Sequence, residues 1–505
     1  MRLCEPDMIP IIDRYAIESL GIPESELIRR SGDAVADAVR RTAPGAEKIA
    51  IFAGCGNNGA DGYAAAINLA REASVTVFCV FPDKKKESVL PLMQRAEESG
   101  VKILPLPENL DETLRSFDVA VDAIFGTGFS GKCPERVINI AEALNSSPIK
   151  VVAVDVPIGT DASGGECETY ALRADTTVEL SYPKVGLLSY PAREYVGELV
   201  VSDIGLDTER IHNSFDFNSF YVDSELAAEL LPKREKNSHK GSFGRVLLIC
   251  GSREYRGAAH LAAEAALRGG AGYVTFAGDG ELCREIRLKF PEIIFTEADR
   301  TETDKLACLS SNAVTLVGCG CGADEELAGL VEKLILIEGA PLVLDADAIN
   351  SLAIYSSADV LNKKRRKIIL TPHPLELARL MGVSVSEINA SRLSVAREFA
   401  AKYGVTLILK GAASITADGE RVYINSSGSS ALAKAGSGDV LAGLVASLTA
   451  QAQGSPTETC ALAAYLHGRA ADLLSAELSE YGVTPSDLPR KIAQIIAKEI
   501  NNGKN

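Results

Sequence analysis

At roughly 100–200 residues per domain, a chain of 505 residues is expected to hold two to four domains. Its 52 basic against 68 acidic residues give a formal net charge of −16, which argues against nucleic acid and anionic membrane as partners. The 11 cysteines are odd in number, contain no C-x-x-C and fall mostly in apolar runs such as Leu248-Ile249-Cys250, so buried thiols in a reducing cytosol are expected rather than zinc or disulfides. No apolar secretory stretch accompanies Glu5 and Asp7, and no run is long and apolar enough to span a membrane. A cytoplasmic protein acting on small molecules is therefore expected.

Residues 11–28 read as helical with a break at Gly21-Ile22-Pro23, and residues 31–41 as a second helix. A βαβ unit follows: strand 48–53, a glycine loop, helix 61–71 and strand 75–81. Further strands are expected at 119–124, 151–156 and 176–180, with helices at 91–99 and 135–145 between them. This is the pattern of a doubly wound α/β domain, Rossmann-like and three-layered, over residues 1–215. Residues 213–242 are polar and charge-rich and are expected to carry the linker. A second α/β series, over 216–505, starts with strand 245–250 and continues through strands 273–277, 313–318, 342–345, 367–370 and 406–410. A hairpin at 413–425 turns at Asp418-Gly419, and terminal helices occupy 457–478. The basic runs Lys84-Lys85-Lys86 and 363–367 are short and flanked by loop signals, so they read as solvated faces.

Gly54-Cys55-Gly56-Asn57-Asn58-Gly59 matches the dinucleotide fingerprint G-x-G-x-x-G and by itself supports a nicotinamide-dependent oxidoreductase. Two details count against that reading. Asn57 and Asn58 are amides that can hold an ion or a ligand, and Asp61 would face a pyrophosphate where negative charge is unwelcome. A second glycine loop, Gly126-Thr127-Gly128-Phe129-Ser130-Gly131-Lys132, follows the strand that carries Asp122, and a third strand delivers Asp155-Val156-Pro157-Ile158-Gly159-Thr160. Three strand ends thus bring Asn57, Asn58, Asp61, Asp122, Lys132 and Asp155 toward one crevice, where open α/β sheets bind ligands.

In the second half, Lys434-Ala435-Gly436-Ser437-Gly438-Asp439-Val440 places two glycines in the turn that opens an apolar helix. Glycines there let backbone N–H groups crowd onto an anion, and the helix dipole adds its positive end. Asp439 at the mouth of that hole is suited to accept the proton of a hydroxyl attacking a phosphoryl group. On this segment alone, the alternative is a glycine turn with Asp439 as an ordinary helix N-cap.

Asn57-Asn58-Gly59-Ala60-Asp61, the loop 126–132, Asp155-Val156-Pro157 and Tyr182-Pro183-Lys184-Val185-Gly186 resemble the NAD(P)H-hydrate epimerase domain. His239-Lys240-Gly241, Gly257-Ala258-Ala259, Asp345-Ala346-Asp347-Ala348, Thr371-Pro372-His373-Pro374-Leu375-Glu376, Lys410-Gly411-Ala412 and Gly436-Ser437-Gly438-Asp439 resemble the ADP/ATP-dependent NAD(P)H-hydrate dehydratase, a ribokinase-like fold. In this order they cover nearly the whole chain and resemble the bacterial bifunctional NAD(P)H-hydrate repair family. The resemblance implies that the first domain epimerises R and S hydrates of NADH and NADPH. It implies that the second dehydrates the S form through a phosphorylated intermediate, using ADP or ATP.

The same resemblance implies hydrate contacts in the first domain from Asn57, Asn58, Gly59, Ala60, Asp61, Gly126, Thr127, Gly128, Phe129, Ser130, Gly131, Lys132 and Asp155, with Asp155 as acid/base. It places potassium beside Asn58, Asp122 and, through its backbone only, Ile158. In the second domain it assigns Ala258, Gly322, His373 and Asp439 to the hydrate, and Lys410, Gly411, Ala412, Ala413, Ser414 and Gly438 to the nucleotide. Asp439 would take the proton of the ring hydroxyl, and magnesium would ride on the phosphates near Glu376, since this ion favours carboxylate plus phosphate oxygens. A homo-oligomer is also expected.

Two positions depart from the family pattern. Cys319 in Gly318-Cys319-Gly320-Cys321-Gly322 stands where proline is usual, which leaves the loop freer in φ. Ile158 replaces the usual serine or threonine of the potassium site, so a weaker cation site is expected. His373, between two prolines, can also serve turn geometry alone. The competing readings are a ribokinase-type small-molecule kinase with an N-terminal nucleotide-binding module, and a first domain that keeps its pocket without turnover.

Overall fold

A computed structural model describes residues 1–84, 89–129, 131–452 and 454–502. Lys85 and Lys86 of the first basic run and Ser130 of the second glycine loop lie outside the described residues. The chain divides into two compact units, Arg2–Ser219 and Phe220–Asn505, the latter with Met1.

The first unit runs α1 (Ile9–Glu18), α2 (Glu24–Thr42), β1 (Lys48–Ala53), α3 (Asn57–Leu69), β2 (Ser74–Cys79), α4 (Leu90–Glu98), β3 (Lys102–Pro105), β4 (Val119–Ala123), α5 (Glu135–Ser146), β5 (Lys150–Val154), β6 (Thr176–Leu180) and β7 (Glu198–Ser202). Its sheet is parallel in the order β3-β2-β1-β4-β5-β6-β7. β4 is buried throughout and β1 in all but its first residue, as strands covered on both faces require. Alternation along β1 sends Ile49 and Ile51 into one layer with Val35 and Tyr63, and Ala50 and Phe52 into the other with Phe78 and Ile140. The winding reverses between β1 and β4, so their carboxyl ends open a crevice.

Sequence and structure differ in detail here. Pro23 starts α2 at Glu24, so residues 24–28 belong to the second helix. Asn57, Asn58 and Gly59 form the first turn of α3 rather than a loop. The glycines of that fingerprint serve close packing: a Cβ on Gly59 would lie 2.2 Å from the Gly54 carbonyl oxygen.

In the second unit the strands are β8 (Ser219–Val222), β9 (Arg245–Ile249), β10 (Tyr273–Gly278), β11 (Ile294–Glu297), β12 (Val314–Val317), β13 (Leu342–Leu344), β14 (Ile368–Leu370), β15 (Thr406–Leu409), β16 (Ile415–Ala417) and β17 (Val422–Asn425). They follow the order β8-β17-β16-β15-β14-β13-β12-β9-β10-β11. Pairing is parallel from β11 across to β15 and antiparallel from β15 through β17. The helices that bear on the site are α6 (Arg256–Arg268), α7 (Pro374–Met381) and α8 (Ser437–Gln451), with α9 (Pro456–Gly482) and α10 (Leu488–Asn502) closing the chain. The boundary between the units falls within the stretch 213–242, which also holds regular structure. That stretch contains β8 and a helix, Ser224–Leu230, whose N-cap Asp223 accepts from the N–H of Leu226. Among the described residues, no helix is long and apolar enough to cross a membrane.

Candidate active sites

In the first unit the crevice between β1 and β4 holds a cavity of about 700 Å³. Asn57, Asn58, Asp61, Gly126, Thr127, Gly128, Phe129 and Asp155 line it, joined by Asp13 of α1, Ser31 of α2 and Lys184. Gly59 and Ala60 are buried in the first turn of α3 beside it. Gly131 lines a neighbouring cavity of about 520 Å³, and Lys132 lines neither.

Asp155 is held from several sides. Its backbone takes the left-handed conformation, φ 68°, and its N–H donates to the Val178 carbonyl at 2.8 Å. Oδ2 accepts from the Thr127 N–H at 2.8 Å, and Oδ1 pairs with the Lys184 ammonium. A Cβ on Gly126 would lie 2.5 Å from Oδ2, so a side chain there would displace the carboxylate. Lys184 is 1% exposed and also pairs with Glu179 at 2.5 Å. Burial works to lower the Lys184 ammonium, and the two carboxylates more than offset it, so it stays charged.

Burial raises Asp13 to about 6, with Lys184 opposing and Asp155 adding to the rise. Asp61 is raised well above the usual carboxylate range, by burial first and then by Asp155 and Asp13, while a hydrogen bond with Ser31 works the other way. Asp61 is therefore held toward its neutral acid form, and the expected clash with a pyrophosphate loses its charge.

Asp122 is fully buried and accepts from the N–H of Ile124 at 3.2 Å and of Ile158 at 3.1 Å. Burial pushes it up to about 7, and no charged side chain offsets that rise. Asn58 donates through Nδ2 to the carbonyls of Phe125 and Val154 at 2.8 and 3.2 Å, which leaves Oδ1 as its acceptor. The Ile158 carbonyl accepts from the Leu172 N–H at 2.9 Å, and its side chain packs in the core with Leu172 and Phe52.

The second unit assembles its polar cluster at the carboxyl ends of β12 to β15. Gly436, φ 102°, is the N-cap of α8, and Asp439 lies in the first turn of that helix. Asp439 is thus not the cap, and its carboxylate instead faces the Cys319 thiol. Lys410, just past β15, sends Nζ to within 2.8 Å of Asp345 Oδ1, which also accepts from Thr371 Oγ1 at 2.7 Å. The same ammonium lies 3.5 Å from the position of a Cβ on Gly438, which places it at the mouth of α8. A helix N-terminus and an ammonium converge there on one spot suited to phosphate oxygens. Burial, then Asp345, pushes Asp439 up to about 6, while Cys319 and Lys410 act against the rise.

His373 does serve turn geometry. Its Nδ1 accepts from the N–H groups of Leu375 and Glu376 at 3.1 and 3.3 Å, and Glu376 Oε2 accepts in return from the His373 N–H at 2.8 Å. This capping box starts α7 and leaves the ring half-exposed. Glu376 also sits 3.8 Å from the Lys410 ammonium. The Gly322 N–H donates to Asp347 Oδ2 at 2.8 Å, and Ala258 opens α6 beside Gly320. In the tight turn 411–414, with Ala413 at φ 48°, Ser414 Oγ donates to the Gly411 carbonyl at 2.9 Å. Cys319 does more than loosen its loop: it is fully buried, and its thiol donates to Asp345 Oδ2 at 3.5 Å.

Residues that motif reading assigned no role stand beside these. Asp345 carries the strand-end signal that singled out Asp122 and Asp155. Lys184 lies in a motif quoted for its resemblance, whereas Asp13 sits on an ordinary amphipathic helix without local signal.

Residues 246–494 match the family described as NAD(P)H-hydrate dehydratase, and residues 24–186 match the family described as the YjeF-related protein N-terminus. The chain is 36% identical to the bifunctional NAD(P)H-hydrate repair enzyme Nnr of Moorella thermoacetica, over 94% of this chain and 93% of the relative. The Escherichia coli enzyme of the same name is 32% identical over 97% of this chain and 93% of its own. The chain belongs to the bifunctional NAD(P)H-hydrate repair enzymes. It carries an epimerase and a dehydratase together, which a lone small-molecule kinase or an inactive binding module does not explain. Among solved structures, an ADP/ATP-dependent NAD(P)H-hydrate dehydratase from Bacillus subtilis, co-crystallized with ATP and Mg2+, is 28% identical with a TM-score of 0.52, covering 56% of this chain and 100% of that one. A ribokinase-like superfamily protein from Enterococcus faecalis is 27% identical with a TM-score of 0.50, covering 56% and 98%.

Proposed function

We propose that the two activities divide between the units, with epimerisation over residues 1–215 at Asp155 and ADP- or ATP-dependent dehydration over 216–505 at Asp439. The observation that carries the second assignment is the meeting of Lys410, the N-terminus of α8 and Asp439 in one place. The nucleotide phosphates lie against Gly438 and the Lys410 ammonium, with 411–414 along the rest of the nucleotide. The hydrate rests on Ala258, Gly322 and the exposed edge of His373. Asp439 takes the proton of the ring hydroxyl as that oxygen accepts the phosphoryl group, and loss of phosphate restores the reduced nicotinamide. Magnesium fits this donor set through the phosphates and the Glu376 carboxylate, whose Oε2 is already shared with the His373 N–H. When bound, it neutralises phosphate charge.

In the first unit, Asp155 moves protons at the hydrated ring carbon, oriented by Thr127 and Lys184. Asp155→Asn in the full-length protein should abolish R/S equilibration while ADP-dependent consumption of the S form continues. Chiral separation of the two hydrates with time checks this, and undiminished equilibration would take Asp155 out of the chemistry.

Potassium suits the same unit on charge grounds. A fully buried carboxylate with no cation beside it among the described residues needs a proton or an ion, and on this reading Asn58 Oδ1, the acceptor left over from its amide contacts, joins Asp122 as a ligand. Potassium added to a sodium-free buffer should raise the unfolding temperature of the wild type, and Asp122→Asn should remove that increment. Identical potassium titrations of the two proteins would move the ion elsewhere. A cytosolic setting is supported by 11 cysteines that are all free thiols. The protein is expected to form a homo-oligomer in solution, and light scattering tests this.

A further inference from the structure

Cys319 introduces a chemistry that oxygen-only phosphoryl-transfer sites lack. Its Sγ, a carboxylate oxygen of Asp345 and one of Asp439 lie within 4.8 Å of one another, the one grouping of this kind among the described residues. Cys319 is fully buried, its carbonyl accepts from the Gly251 N–H at 2.7 Å, and its thiol also meets that of Cys250. Asp345 is fixed. Thr371 Oγ1 and Lys410 Nζ both hold its Oδ1, which turns Oδ2 toward Cys319 Sγ at 3.5 Å. Metal-ligating carboxylates are commonly oriented by outer hydrogen bonds of this kind.

We propose that Cys319, Asp345 and Asp439 form a binding site for a thiophilic divalent cation of the zinc and cadmium class, lying on the base of the dehydratase. One sulfur and two carboxylate oxygens suit such ions, with metal–sulfur bonds near ~2.3 Å and metal–oxygen bonds of roughly 2.0–2.2 Å. Magnesium prefers an all-oxygen octahedron and gains nothing from the thiol. On binding, the S–H bond breaks, the sulfur bonds to the metal and the proton leaves to solvent. The fourth position stays open to water. The Lys410 ammonium repels the incoming ion and keeps the site weaker than a closed structural zinc site. An ion held there occupies the Asp439 carboxylate, so dehydration stops while epimerisation continues. That consequence rests on the reading of Asp439 as the base, whereas binding itself does not.

The test uses the full-length protein without nucleotide, titrated with cadmium and followed by the ultraviolet thiolate-to-cadmium absorption band. Wild type should show a band that Cys319→Ala loses and that Cys460→Ala and Cys308→Ser retain. Cys319→Ser, which nearly keeps the volume and stays without a thiolate band, answers the case in which the alanine variant does not fold. Zinc should inhibit dehydration reversibly, a chelator restoring the rate, and inhibition should be about tenfold weaker or more in the Cys319 variants, each measured against its own metal-free rate. A band unchanged in both Cys319 variants would overturn the site. A Cys319-dependent band with dehydration undisturbed by zinc would overturn the inclusion of Asp439. If no ADP-dependent dehydration occurs at all, the reading of Asp439 fails, and the cadmium band still decides the metal site.

Discussion

Asp439→Asn is expected to lower ADP-dependent dehydration by about 10²–10⁴-fold. Asparagine keeps the size and the hydrogen-bonding atoms but cannot take the hydroxyl proton. Nucleotide affinity should change little, because the phosphate contacts assigned here belong to Lys410 and the α8 backbone, and epimerisation should be untouched. The wild-type pH profile carries a matching signature. Burial and Asp345 lift Asp439 to about 6 against the pull of Cys319 and Lys410. The working form is the carboxylate, so dehydration should rise with pH through about 6 and level off above it. Recovery of reduced-nicotinamide absorbance at saturating ADP measures both effects. Near-normal turnover in the variant would return Asp439 to a structural part in the first turn of α8.

The second large effect is one of stability. Lys184→Met keeps the length of the side chain and removes the only charge shown pairing with both Asp155 and Glu179. Breaking a buried ion pair by deleting one partner costs about 3–5 kcal/mol, since the surviving carboxylates stay desolvated. Epimerisation should disappear with it, because Asp155 loses one of its two orienting partners. The pH dependence has a definite sign. Burial already holds Glu179 at about 7 with the ammonium beside it, and without Lys184 it rises further. The folded variant then keeps a proton that the unfolded chain releases, so the deficit should be greatest at alkaline pH and shrink as pH falls toward the ordinary carboxylate range. Denaturant unfolding across pH measures this. A deficit that grew on acidification would contradict the arrangement.

The central strands were legible in the sequence because burial on both faces demands unbroken apolar runs, as in Lys48–Ala53 and Val119–Ala123. The strands that escaped reading lie at sheet margins or are very short. Lys102–Pro105 and Ile294–Glu297 are half exposed, so charge and proline interrupt any pattern. Ser219–Val222 is four residues long and hides in a charged stretch. At the sites, legibility followed the same line. Carboxylates at strand ends and glycines at helix starts are local signals, and these gave Asp122, Asp155 and Asp439 as candidates. Lys184 and Asp13 reach the first cavity through tertiary packing alone. The Cys319 thiol was legible only as a missing proline, because its carboxylate neighbours come from two other strand and helix ends.

The left-handed backbone of Asp155 bears on how its replacements are to be interpreted. Asparagine and aspartate tolerate that conformation better than other residues with a side chain, because their short polar groups can bond locally. Alanine has no such compensation and would strain the turn that sets the spacing between Val178 and Thr127. A lost activity in Asp155→Ala would therefore mix a displaced loop with a missing carboxylate. The amide replacement separates the two, and scanning data collected with alanine alone would overstate the chemical share of this residue.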